Sequence, residues 1–265
     1  MNATGVFYRE LGQGPAVVCL HSNAASSSQW RPLMEQLQAR YRVIAADSIG
    51  AGKSPPWPGD RTVTLQDEVD LLAPVFDTAG SGFVLVGHSY GAAVAFKAAL
   101  AHPGRVRALA LYEPTLFAWV DAQQAPPNDA DGIKAAVGRA VDALEAGDGD
   151  EAARHFIDFW MGDGAWAATP AARKPAIAAA TRNVAGWAHA LVEEPAAMAD
   201  FVALDVPVLL MTGGRSPASG TAVTRIMAPA LRHGEVKTFD KLGHMGPLTH
   251  AAIVNDAIET FLDRL

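Results

Sequence analysis

Cysteine is almost absent from this chain: Cys19 is the only one in 265 residues. A single cysteine excludes an intramolecular disulfide, so the fold is held without covalent cross-links within the chain. Cys19 lies in Val17-Val18-Cys19-Leu20, where it reads as a small buried hydrophobe and not as a reactive thiol. No apolar run approaches the length of a bilayer span, so no membrane partner is expected. Basic clusters are also missing, and a net charge of −7 with a pI near 5.6 argues against nucleic acid as a partner. No spacing of His, Cys or carboxylates fits a metal site, so neither a metal nor another cofactor is expected. The stretch Met1-Asn2-Ala3-Thr4-Gly5 lacks the charged-then-apolar pattern of a secretion leader, which makes a cytoplasmic location the expectation.

What is present is hydrophobic. Half the residues are apolar and only 18% are charged, the balance of a globular chain with a large core. The length suits one α/β domain carrying an insertion better than two independent domains. Short β-like runs at residues 17–20, 43–46, 83–86, 108–112, 208–211 and 236–239 read as buried strands, with 6–11 as an edge strand. Helical patterns at 28–40, 65–79, 92–101, 221–231 and 251–265 alternate with them. Such alternation predicts a doubly wound, mostly parallel sheet, with functional groups gathered beyond the C-terminal ends of its strands.

The alternation breaks between about residues 116 and 199. Ala-rich helical stretches at 131–146, 151–161 and 170–191 replace the strand signal. An all-helical insertion after one strand of such a sheet reads as a lid over the site. It holds Trp119, Trp160, Trp166 and Trp187, four of the six tryptophans, together with Phe117, Phe156 and Phe159. Most of these aromatics are expected to pack lid helices together and a minority to line an apolar pocket. Phe117, Trp119, Phe159, Trp160 and Trp187 are the pocket candidates.

Gly87-His88-Ser89-Tyr90-Gly91, directly after Phe83-Val84-Leu85-Val86, carries the strongest signal. It fits the G-x-S-x-G elbow, in which a strand turns sharply into a helix and exposes one serine at the tip. The strained turn requires small neighbours, and Gly87, Gly91 and Ala92 supply them. A serine alcohol near neutral pH needs a base within hydrogen-bond reach. Among eight histidines, His244 is best placed, in a loop after the last predicted strand. His88 should point away from Ser89 and pack beneath it, and His250 should face elsewhere from the start of the final helix.

These segments identify the chain as resembling the α/β-hydrolase superfamily over nearly its whole length. Besides the elbow, His21-Ser22-Asn23 is similar to the family's oxyanion loop. Asp47-Ser48-Ile49-Gly50-Ala51-Gly52-Lys53-Ser54 resembles its D-x-x-G-x-G-x-S segment, and Leu242-Gly243-His244 resembles the G-H that delivers the base. The resemblance implies an eight-stranded, mostly parallel sheet flanked by helices, with a helical cap inserted after the sixth strand. The core would then comprise residues 1–115 and 199–265, and the cap residues 116–198.

One position departs from the family pattern. Where many members carry the catalytic acid, in G-x-x-D-x, this chain has Gly213-Gly214-Arg215-Ser216-Pro217. Ser216 cannot supply a negative charge. Glu113, in Tyr112-Glu113-Pro114 at the end of the strand following the nucleophile, is the substitute, and certain haloalkane dehalogenases of the family take their acid from that strand end. The acid has only to orient the imidazole and stabilise its cation. Asp240 and Asp205 are weaker alternatives, and Asp47 is expected to brace a turn.

The resulting expectation is a serine hydrolase of a small or medium carboxylic ester. Ser89 is the nucleophile, His244 the base and Glu113 the acid, while the N–H groups of Asn23 and Tyr90 form the oxyanion hole. Carbon–carbon bond hydrolysis on the same fold is the alternative. A ligand-binding homologue without turnover is a third reading, favoured only by Ser216. Dehalogenation and epoxide hydrolysis are disfavoured, because both use a carboxylate nucleophile.

Overall fold

The computed structural model describes residues 5–265; residues 1–4, on which the leader expectation partly rests, lie outside the described part. Seven strands form one sheet: β1 (Tyr8–Leu11), β2 (Ala16–Leu20), β3 (Arg42–Ala46), β4 (Phe83–His88), β5 (Val106–Tyr112), β6 (Val208–Gly213) and β7 (Gly234–Phe239). Their order is β1-β3-β2-β4-β5-β6-β7, and all neighbours are parallel except β1 with β3. The described sheet thus has seven strands where the resemblance implied eight, and its helical insertion follows the fifth. On that side β1 pairs directly with β3 and closes the edge.

Chain direction across the sheet reverses between β2 and β4, which are neighbours. A crevice opens at the C-terminal ends of strands at such a switch point. The loop after β2 and the turn after β4 both end there.

Between the strands run α1 (Arg31–Leu37), α2 (Leu65–Ala79) and α3 (Tyr90–Ala101). The first turn of α2 is fixed by a reciprocal cap: Asp67 N–H donates to Thr64 Oγ1 and Thr64 N–H to the Asp67 carboxylate. One apolar cluster, with Leu85, Phe76 and Phe96, lies on one face of the sheet. A second, with Trp30, Val86 and Ile258, lies on the other. Cys19 is fully buried in the second cluster, and burial pushes its thiol up, so it stays protonated and inert.

The insertion between β5 and β6 contains α4 (Phe117–Gln123), α5 (Asp131–Glu145), α6 (Gly149–Met161), α7 (Ala165–Ala168), α8 (Lys174–Thr181), α9 (Val184–Val192) and α10 (Met198–Ala203). The expected helix over 170–191 is therefore two helices. The break falls at Asn183, which leaves the helical line while its side-chain amide donates to Gly50 O at 3.2 Å. A tie to the core there outweighs the helix propensity of the alanines around it.

After β6 come α11 (Ala218–Met227), α12 (Gly246–Thr249) and α13 (Ala251–Leu262). The segment 236–239 was expected to be a buried strand. It is an edge strand instead, with every residue of β7 but Phe239 exposed, in keeping with its polar Glu235, Lys237 and Thr238. Among the described residues no helix is long and apolar enough to cross a membrane.

Candidate active site

Ser89 caps the end of β4 at φ +56° and ψ −117°. A non-glycine residue there is strained, and the surroundings hold it in place. A Cβ on Gly91 would stand 2.3 Å from Leu20 O, and one on Gly87 would stand 2.5 Å from Ala92 Cα. Only hydrogens fit at either position, so strand and helix close tightly around the serine.

Glu113, at the end of the neighbouring β5, also has a positive φ, +44°. The two turns are joined through the sheet: Ser89 N–H donates to Tyr112 O and Glu113 N–H to Met211 O, each at 2.9 Å. His244 arrives on the loop after β7 and lies between them. Its Nδ1–H donates to Glu113 Oε2 at 2.6 Å, and Ser89 Oγ–H donates to its Nε2 at 2.9 Å. The carboxylate can only accept here, which fixes the proton on Nδ1 and leaves Nε2 free to take one.

The other oxygen of Glu113 is equally engaged. Thr212 Oγ1–H at 2.9 Å, Gly213 N–H at 2.7 Å and Ser216 Oγ–H at 2.7 Å all donate to Oε1. Burial pushes this carboxyl up, but the His244 ring and these donors outweigh it and hold it below the usual carboxylate range. The hydroxyl at the vacant acid position thus serves the carboxylate that lies beside it. Among the described residues neither Asp240 nor Asp205 hydrogen-bonds His244, whose ring partners are Glu113 and Ser89, and Asp205 pairs with His233.

His244 is braced from behind. Tyr112 Oη–H donates to Gly243 O at 2.8 Å. His88 Nε2–H donates to His244 O at 2.8 Å, and the Gln29 side-chain amide donates to His88 Nδ1 at 3.1 Å. Burial and the neighbouring His244 ring push His88 well below the usual histidine range, which keeps it neutral. Gln29 Oε1 also accepts from Ser22 N–H at 3.2 Å and Ser22 Oγ–H at 3.1 Å. A chain of hydrogen bonds therefore runs from the loop after β2 to the backbone of His244.

That loop carries Asn23. Among the described residues, neither Asn23 N–H nor Tyr90 N–H has a hydrogen-bond partner, and both belong to residues flanking Ser89 at the switch point. The Tyr90 hydroxyl donates to buried Glu68 at 2.9 Å, which anchors the residue after the serine. Asp47 accepts from Ser27 N–H at 2.6 Å and Lys53 N–H at 2.8 Å, bracing the loop after β3. His250 caps α13 and meets Thr249, away from the serine.

A family model described as the alpha/beta hydrolase fold matches residues 15–251. The chain belongs to this family. A (E)-2-((N-methylformamido)methylene)succinate hydrolase of Acinetobacter baylyi is 24% identical over 97% of this chain and 93% of its own. A lipase, LipV, of Mycobacterium tuberculosis is 34% identical over 49% of this chain and 52% of its own length. Among solved structures, a thermophilic esterase from Thermogutta terrifontis superposes with a TM-score of 0.78 at 23% identity, covering 98% of this chain and 93% of that one. At that identity the superposition speaks for the fold alone.

In this α/β hydrolase, Ser89 opens into two lobes. A wide chamber of about 570 Å³ is lined by His244, Met245, Leu248, Ile157 and Met161. A narrow slot of about 30 Å³ lies on the other side, against Thr115, Phe117, Trp187 and Leu191. Asn23, Ser89, Phe156 and Trp160 border both lobes. Phe117, Trp160 and Trp187 thus line the cavity. Trp119 and Phe159, expected to join them, line neither lobe. Trp119 packs against Phe96 with its indole N–H donated to Ala196 O at 2.6 Å; Phe159 sits edge-on behind Trp160 at 4.9 Å. Gln29, Glu68 and Thr115 also shape the site, and none of them belongs to a motif.

Proposed function

We propose that this α/β hydrolase is a serine esterase acting on a small or medium carboxylic ester. The observation that carries the reading is the unbroken line of hydrogen bonds from Ser89 Oγ through His244 to Glu113. Ser89 Oγ attacks the ester carbonyl carbon while His244 Nε2 takes its proton. The carbonyl oxygen becomes an oxyanion, received by the free N–H groups of Asn23 and Tyr90. His244 then gives its proton to the leaving alkoxy oxygen, the C–O bond breaks and the alcohol departs. Water, deprotonated by the same nitrogen, attacks the acyl-serine, and collapse returns the proton to Ser89 as the acid leaves. Throughout, Glu113 keeps Nδ1 protonated and offsets the imidazolium charge.

A fluorophosphonate probe, followed by mass mapping, tests the first step. Stoichiometric labelling of Ser89 that disappears in His244→Ala is expected. Hydrolysis of a 4-nitrophenyl ester series, abolished in Ser89→Ala, tests the remainder. A folded sample that neither labels nor turns over an ester would sink the reading. Cleavage of a vinylogous diketone in preference to every ester would move it to carbon–carbon bond hydrolysis.

A further inference from the structure

The two lobes are not equivalent with respect to the base. His244 lines the wide chamber and does not border the slot. In ester cleavage the base protonates the leaving oxygen, so the alcohol portion must lie on the His244 side. The acyl portion stays on Ser89 and is left with the slot. That side is short and almost wholly apolar, with Phe117, Phe156, Trp187 and Leu191 as walls.

Two residues of those walls carry a buried polar atom. Thr115 is 1% exposed, and its hydroxyl has no hydrogen-bond partner among the described residues. The same holds for Asn23 Oδ1, at the mouth of the slot beside Ser89. A buried hydroxyl without a partner is costly, and nothing in the protein repays it at Thr115. Lys134 also borders the slot, but both carboxylate oxygens of Asp121 hold its Nζ at 2.6 Å. A charged substituent would therefore find no unpaired cation there. A neutral oxygen would find Thr115.

Resting on the esterase reading, we propose that the slot takes a short acyl group bearing a neutral oxygen substituent, a hydroxyl or oxo group, and that Thr115 Oγ1 recognises it. The preferred substrates are then esters of short hydroxy or oxo acids whose larger, apolar alcohol portion fills the chamber. A site built to pair an oxygen discriminates strongly against the analogue lacking it, because the protein's own polar atom is then left bare.

The test compares 2-naphthyl esters of propionic, 2-hydroxypropionic and 3-hydroxypropionic acid. Within each protein the readout is the ratio of kcat/KM for a hydroxyacyl ester to that for the propionyl ester, which cancels effects on folding or on the serine. For one of the two hydroxyacyl esters this ratio is expected to fall about tenfold in Thr115→Val and to return in Thr115→Ser. Ratios that are the same in all three proteins overturn the inference. Thermal-shift titration of wild type and Thr115→Val with the three free acids separates this from failure of the esterase reading. If no ester is cleaved but a hydroxy acid still binds wild type better than the valine variant, only the esterase reading falls. If the hydroxy acids and propionate stabilise both proteins alike, the slot inference falls whatever the turnover.

Discussion

The indole of Trp160 lies flat on the imidazole of His244, with ring centroids 3.8 Å apart and planes 21° from parallel. Trp160 comes from α6, in the helical insertion, and His244 from the loop after β7. The inserted helices therefore supply one wall of the His244 ring itself. In the proposed reaction this ring passes through an imidazolium, and an electron-rich face stacked on such a cation is worth about 0.5–2 kcal/mol.

Replacing Trp160 by leucine should accordingly lower kcat by roughly tenfold through loss of that face, while phenylalanine should keep most of it. Steady-state kinetics on a 4-nitrophenyl ester would check this. Equal rates in the leucine variant and wild type would show that the stack is only packing.

Glu113→Gln should reduce kcat by about 10²–10⁴-fold. Its Oε1 position is surrounded by three donors, so the glutamine oxygen is drawn there and its NH₂ turns to His244. The ring must then carry its proton on Nε2, facing Ser89, where it cannot accept. Ser216→Ala removes one donor of three and should cost far less, about threefold to tenfold. Ser216→Asp should be worse than alanine, since it sets a second carboxylate against the first. The order of the three variants in kcat, measured at one pH, tests the assignment.

Gly220 offers a more pointed perturbation. A Cβ there would stand 2.8 Å from Glu113 Oε2 and 3.3 Å from His244 Nδ1. Gly220→Ala should wedge the carboxylate away from the ring and lower kcat by about 10²-fold, at a stability cost of about 1–3 kcal/mol. Circular dichroism melts beside the kinetics would separate misalignment from unfolding.

Glu68 sets a pH dependence of stability. It is fully buried beneath Tyr90, and burial pushes its carboxyl up to about 7, with the Ile49 N–H and Tyr90 Oη–H bonds only partly opposing this. The native state therefore holds a proton on Glu68 that the unfolded chain has lost above its ordinary value. Between pH 4.5 and 7 this group contributes stability that is present at the acid end and falls as pH rises, by roughly 3 kcal/mol in all. Glu68→Gln keeps the neutral form at every pH. The melting temperature of the variant relative to wild type should rise between pH 5 and pH 8, and a constant difference would contradict the assignment.

The alternation of β-like runs and helical patterns made a mostly parallel sheet and its strands legible, and the glycines around Ser89 marked its turn. Tertiary competition hid the rest. The alanine-rich stretch over 170–191 carries no breaker at Asn183, whose role depends on Gly50, far away in sequence. The segment 236–239 shares strand-forming Val, Thr and Phe with the inner strands, but its Lys237 and Thr238 already suit the exposed edge that it occupies. Trp119 and Trp160 look alike in sequence, but one is sealed by Phe96 and Ala196 and the other roofs His244. The site was legible where chemistry demands a motif. Glu113 could be read only because Ser216 occupies the position where an acid was expected. Thr115 and Glu68 have no such signature, since a threonine after proline and a glutamate in a helix are ordinary until burial makes them costly.

Ser89 and Glu113 follow β4 and β5, which lie side by side with His88 opposite Tyr112. Their separation is thus a lattice spacing of the sheet, as rigid as the ladder that sets it. Only the third partner rides on a tether, the loop from Asp240 to Met245, pinned by Tyr112 and His88. Any displacement of that tether would therefore shift the imidazole alone, while the serine and the carboxylate keep the spacing that the sheet gives them.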